Sequence, residues 1–301
     1  MKKNIILLIF VLQASYSFAQ NKLSVYEDSL KNLGIVIARD SVEENRIQAN
    51  YKFIKTLVEA LKEKNSFYYS FKNLSDFVAI KKADDNKFRI ITWFTQSDDG
   101  SYRYFGAIQV NNPNQLELYP LLDNTQSLTK LTGLEDATLE TKKWLGAVYY
   151  QIIPVAGIKD PYFILLGWKG KNSLSSSKVI ETLKFIDGKP IFGSAVLESK
   201  PKSKQFVNRM TFDYVKNASM LLRYVKDENM IVFDHLVAPD KKSEGMTEFY
   251  APDLSYDGLK FKQGKWIFQD NLKLTNLPDE ADEFFIDPSK DKQNTAPALN
   301  N

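Results

Sequence analysis

The chain has 301 residues, of which 44% are hydrophobic and 13% aromatic, a composition that supports a folded core and excludes a disordered polymer. Its 40 basic and 37 acidic residues nearly cancel, so the sustained basic surface that nucleic acid needs is missing. Cysteine is absent and histidine occurs once, which excludes disulfides, thiol catalysis, thiolate or iron–sulfur sites and any multi-histidine metal site within one chain.

At the N-terminus, Lys2 and Lys3 precede an unbroken apolar run from Ile5 to Leu12, and Ser17-Phe18-Ala19 places small residues at −3 and −1. This is the pattern of a secretory signal peptide covering residues 1–19, with Gln20 as the expected mature start. The run rises only about 12 Å as a helix against a hydrocarbon core of ~30 Å, so no stable membrane span is expected after cleavage. No cysteine follows the cut to carry a lipid. The chain is expected to be exported and soluble: periplasmic, with release to the medium as the alternative.

Residues 20–66 read as a helical segment. Leu23, Tyr26, Leu30 and Leu33 recur at helical spacing, and Glu27 sits four before Lys31. Gly34 is expected to end or interrupt this piece. Ser41 and Glu44 form an S-x-x-E capping box for a second helix. Its expected apolar stripe holds Ile47, Tyr51, Ile54, Leu57, Val58 and Leu61, interrupted by the polar Asn50. Asn65 suits a left-handed stop. The mixed charge of the other face favours core packing over a membrane surface.

From about Phe77 the period falls to two, and residues 67–287 read as an antiparallel β domain. Phe88–Phe94 and Tyr102–Val110 flank the Asp98-Asp99-Gly100 turn, and Gln115–Leu122 continues as a third strand. Residues 128–145 read as short helix or loop. Tyr149–Ile153 and Tyr162–Trp168 resume the strands, the second so apolar that burial on both faces is expected. Val179–Ile186 and Ile191–Leu197 join through Asp187-Gly188. Met210–Val215, Met220–Val225 and Met230–Leu236 read as a three-strand meander, and Leu259–Phe261 and Lys265–Phe268 close the series. Roughly a dozen to fifteen short strands imply a mainly β fold, a sandwich or a degenerate propeller, preceded by two N-terminal helices. The Asp-Gly turns at 98–100, 187–188 and 257–258 are unevenly spaced, which weighs against strict repetition. The acidic run at Asp279–Asp287 reads as surface, and 288–301 as a disordered tail.

Two constellations could carry chemistry. His235 beside Asp234 has the makings of a general base. Strand neighbours point to opposite faces, however, so another carboxylate would have to orient the ring. Ser194 in Gly193-Ser194-Ala195 lacks the nucleophile elbow. The second constellation is the set Asp213, Asp234, Asp253 and Asp257, interleaved with Tyr214, Phe233, Tyr250 and Tyr256. Paired carboxylates among aromatics suit glycoside hydrolysis, although Asp253 and Asp257 also suit turns. Gly167–Lys171 lacks the P-loop spacing, so no cofactor or metal site is expected.

The stretches Tyr162–Trp168, Met230–Leu236 and Tyr256–Leu259 resemble those of uncharacterised signal-peptide-bearing exported proteins of Bacteroidota-type bacteria. The resemblance implies a bacterial, exported protein and carries no activity with it. The expectation is a cysteine-free, non-catalytic binding or scaffolding protein of the cell envelope, with an envelope protein or glycan as partner. The alternative is a carboxylate-based periplasmic glycan hydrolase acting through the candidates above.

Overall fold

The computed structural model describes residues 22–273; the expected leader, the acidic run and the tail lie outside the described residues. Helices α1 (22–39) and α2 (Glu43–Lys62) form a hairpin. Gly34 does not end α1. A Cβ there would stand 2.9 Å from the ring of Phe77, so the missing side chain lets that ring lie against the helix, and α1 continues five residues further. The capping box is not made either. Val42 occupies the N-cap of α2, and Asp40 does the capping work by accepting from Val42 N (2.8 Å) and Asn45 Nδ2. The tight α1–α2 connection leaves Ser41 outside the first turn. Asn65 takes the left-handed conformation (φ 64°) just past the end of α2. The buried face of α2 is carried by Ala49, Phe53, Leu57, Ala60 and Leu61, while Tyr51 is 52% exposed. The helix is thus rotated from the expected stripe, because Phe53 seats its ring 5.3 Å from that of Trp93. Asn50 sits within this face and accepts from Trp93 Nε1 (2.8 Å), which satisfies two buried polar groups at once.

The rest of the described chain is mainly β, in three sheets. The first is the antiparallel meander β1 (Ala79–Lys82), β2 (Phe88–Gln96), β3 (Tyr102–Val110) and β4 (Glu117–Leu122). A short helix α3 (Thr125–Leu128) and 3-10 turns lead to the second sheet. Its strands are β5 (Leu139–Glu140), β6 (Val148–Val155), β7 (Tyr162–Gly170), β8 (Ser175–Ile186) and β9 (Lys189–Phe192), in the order β5-β9-β8-β7-β6. The third contains β10 (Leu197–Glu198), β11 (Phe206–Val207), β13 (Leu222–Val225), β14 (Met230–Val237), β15 (Ala251–Lys262) and β16 (Lys265–Gln269), ordered β11-β10-β16-β15-β14-β13. Strand β12 (Arg209–Val215) pairs with β8 in the second sheet. Only the β10–β16 pairing is parallel among these named strands.

The layers stack as helices, first sheet, second sheet, third sheet. Alternation along β2 shows it: Ile91 and Trp93 pack under the helices, whereas Phe88 and Ile90 pack on the second sheet. On β7, Leu165 faces the first sheet while Ile164 and Leu166 face the third. The near-continuous apolar run of β7 is therefore a strand buried on both faces. Inter-sheet ring contacts such as Phe88–Phe163 (4.9 Å) and Phe212–Phe233 (4.6 Å) mark a stacked sandwich and not radial blades.

Three sequence expectations about the strands need correction. Segments 210–215, 220–225 and 230–236 do not form one meander, because β12 crosses to fill the open edge of β8 and only β13 and β14 remain a hairpin. Asp257-Gly258 is not a turn but lies inside β15. A Cβ at Gly258 would meet Ile231 O and Leu272 Cδ1 at 2.8 Å, so glycine is there for close strand approach. Ile191–Leu197 also divides into β9 and β10, which belong to different sheets.

Candidate ligand-binding cleft

The helical hairpin does not cover the first sheet completely. Where the α1–α2 connection meets the β2–β3 turn there is a cleft of about 330 Å³. That lies at the small end of the ~300–1,000 Å³ typical of ligand pockets. Its apolar wall is Ile37, Phe53, Phe77, Val78, Trp93 and Val148; its polar rim is Asp40, Ser41, Arg46, Asp76, Gln96 and Asp98. The wall follows from strand and helix periodicity, since Trp93 and Phe53 come from the two faces that already meet in the core.

Arg46 ties the rim together. Its Nη1 donates to Asp40 O (2.9 Å), its Nε to Gln96 O (3.2 Å) and its Nη2 to Asp98 Oδ1 (2.5 Å). Glu43 Oε2 accepts from Asp98 N (2.8 Å). One guanidinium therefore joins the hairpin connection to the turn between β2 and β3. The Arg46 side chain is 11% exposed and Asp98 65%, so the carbonyl bonds contribute more than the screened ion pair. Sequence reading missed Arg46, Asp76 and Asp98 as a group. Asp98 was legible only as a turn residue, and nothing in the local pattern of α2 separates Arg46 from its polar neighbours.

The residues singled out by sequence lie elsewhere. Asp234, His235, Asp253 and Asp257 come together on β14 and β15, while Asp213 is on β12 in the second sheet. Asp257, opposite Phe233 in the ladder, is a diagonal neighbour of His235, and their Oδ2 and Nδ1 atoms are 2.7 Å apart. Asp257 Oδ1 also accepts from Asn271 N (3.0 Å). Asp234 turns to Leu221 N (2.7 Å), and burial raises its pKa. Asp253 accepts from Ser255 N (2.9 Å) and Ser255 Oγ (2.6 Å), bonds that lower its pKa and bracket Leu254 at φ +72°. Asp213 is held by Lys171 Nζ (2.5 Å), Ser177 Oγ (2.5 Å) and Thr247 Oγ1 (3.1 Å). Each of the four carboxylates is engaged with donors of the fold, and none lines the cleft.

Four charged side chains, Glu181, Arg209, Lys169 and Arg89, are buried, which the local sequence pattern does not mark. Glu181 on β8 and Arg209 on β12 face each other across the second sheet as an ion pair, 0% and 1% exposed, at 2.7 Å. Tyr149 Oη donates to Glu181 and accepts from Trp144 Nε1 (3.0 Å). Burial and the nearby Glu181 charge hold the Tyr149 hydroxyl well above the ordinary phenol pKa, so it remains a donor. Lys169 donates to Thr125 Oγ1 (2.7 Å), Leu145 O (2.7 Å) and Gly146 O (2.8 Å), and burial pulls its pKa down to about 7. Arg89 binds Gln109 Oε1 and the carbonyls of Tyr69 and Ser66 without a carboxylate, and burial lowers its pKa too. These groups are closed off inside the layers, where they fix the sheets and their connections.

No family model, no curated protein and no solved structure matches the chain. Among the described residues, no helix is long and apolar enough to cross a membrane, and no three His, Asp or Glu side chains gather as a metal site.

Proposed function

We propose that this is an exported bacterial protein of the cell envelope that acts by binding a small ligand in the cleft between its helical hairpin and first sheet. The observation that carries the reading is the composition of that cleft: an aromatic and aliphatic wall under a charged rim pinned by Arg46. Such a surface binds an amphipathic molecule without chemistry, because burial supplies affinity and a few polar groups supply orientation. Export rests on the leader-like residues 1–19, and location in the periplasm or beyond it follows from them. The hydrolase alternative draws less support. It needs two carboxylates facing one another across a pocket, and Asp213, Asp234, Asp253 and Asp257 are bound up with backbone, lysine, histidine or serine donors.

The test is a ¹⁵N-labelled mature chain titrated with the small-molecule fraction of its own cell envelope. Shifts confined to the Trp93 indole N–H, the Arg46 Nε–H and the Gly100 amide are expected. Shifts centred on His235 and Asn271, accompanied by shortening of added glycan, would establish the hydrolase instead.

A further inference from the structure

We infer that the cleft takes a small organic cation, a protonated amine carried on an apolar body. This rests on the cleft being the binding site, and it adds the class of ligand. Three carboxylates stand on the rim, those of Asp40, Asp76 and Asp98, against one guanidinium. The charge of Arg46 is already answered by Asp98 at 2.5 Å, and two more of its N–H groups are committed to the carbonyls of Asp40 and Gln96. Little of Arg46 is left to receive an anion. The Asp40 carboxylate is met only by the neutral donors Val42 N and Asn45 Nδ2, which orient it without neutralising it. Asp76 is exposed, and no described residue hydrogen-bonds or ion-pairs with its carboxylate. An arriving anion meets two uncompensated negative charges, whereas an ammonium group satisfies them.

The wall sets the other half of the ligand. Phe53 and Val78 are buried to 0% and 5% exposure, and Trp93 spends its only polar atom on Asn50. A polyol placed there would leave hydroxyls without partners, so the part of the ligand inside the cleft must be apolar. The volume of about 330 Å³ limits it to a compact body and excludes a polymer threaded end to end.

Matched probes separate charge from shape. Tryptamine and indole-3-propionate share a ring system and carry opposite charges. Each is titrated into the mature chain by calorimetry and ¹⁵N NMR at low and high salt. Tryptamine is expected to bind and to move the Trp93 indole N–H, with affinity falling as salt rises. Asp76→Asn should weaken it about 1.5- to fivefold, the range of one exposed charge pair, and Asp76→Lys should weaken it further. Ala38→Trp, which fills the cleft from α1, should abolish it while circular dichroism stays native. Tighter binding of indole-3-propionate would overturn the inference about charge and leave the cleft standing as a site. Tryptamine binding that survives Ala38→Trp, or no binding by either probe, would overturn the cleft itself.

Discussion

Replacing Arg209 by methionine should destabilise the protein by about 3–5 kcal/mol, the usual cost of stranding one member of a buried ion pair. Glu181 is 0% exposed and would keep only the Tyr149 hydroxyl as a strong donor. The carbonyls of Leu134 and Ala137 would also lose their guanidinium donor, at roughly 1 kcal/mol each. One contribution opposes these: Arg209 Nη2 is buried without a partner among the described residues, and methionine removes that penalty. Adding Glu181→Gln removes the stranded charge, so the double variant should recover about 1–3 kcal/mol relative to Arg209→Met alone. The assay is equilibrium urea unfolding followed by tryptophan fluorescence, with the slope checked for constancy between variants. A single-variant loss below about 1 kcal/mol, or a double variant no more stable than the single, would refute the view that this pair is a desolvated charge held by its partner.

Lys169 should give stability a pH dependence. Its folded pKa of about 7 lies below the ordinary lysine value of 10.5, so between these limits the unfolded chain binds the extra proton. Unfolding free energy should therefore rise with pH across that window, by at most ~1.4 kcal/mol per unit, and the increment should vanish in Lys169→Met; equal slopes in the two proteins by urea titration would count against it. Asn50→Ala leaves Trp93 Nε1 without its acceptor and should cost about 1–3 kcal/mol by thermal and urea unfolding, with a neutral result showing that water replaces the amide. Gly34→Ala should be destabilising despite a helix-propensity gain of about 1 kcal/mol, because Phe77 must move; Phe77→Ala in the same chain should make the glycine replacement favourable, and a stabilised single variant would contradict the packing argument. His235→Asn should change stability by less than about 1 kcal/mol, since the ring is 45% exposed and its contact with Asp257 is open to solvent.

Much of the architecture was legible in the linear chain because it depends on short-range periodicity. The 3.6-residue pattern announced both helices, and the two-residue pattern announced β2, β3, β6 and β14 close to their observed limits. The unbroken apolar run of Tyr162–Trp168 even marked the strand covered on both faces. Errors came where a distant partner decides a local outcome. Gly34 stays helical because of Phe77, Gly258 sits in a strand because Ile231 and Leu272 press on it, and Asp40 displaces Ser41 at the cap of α2.

Composition and local pattern alone determined a mainly β protein with a helical entry, no thiol chemistry and no multi-histidine metal site. Only the folded chain decided that β12 leaves its neighbours for β8, that Asp257 stands beside His235, and that Arg46, Asp76 and Asp98 share one cleft. Pairing between strands and the meeting of loops are set by contacts among residues tens of positions apart, and neither helix nor strand period carries information over that distance.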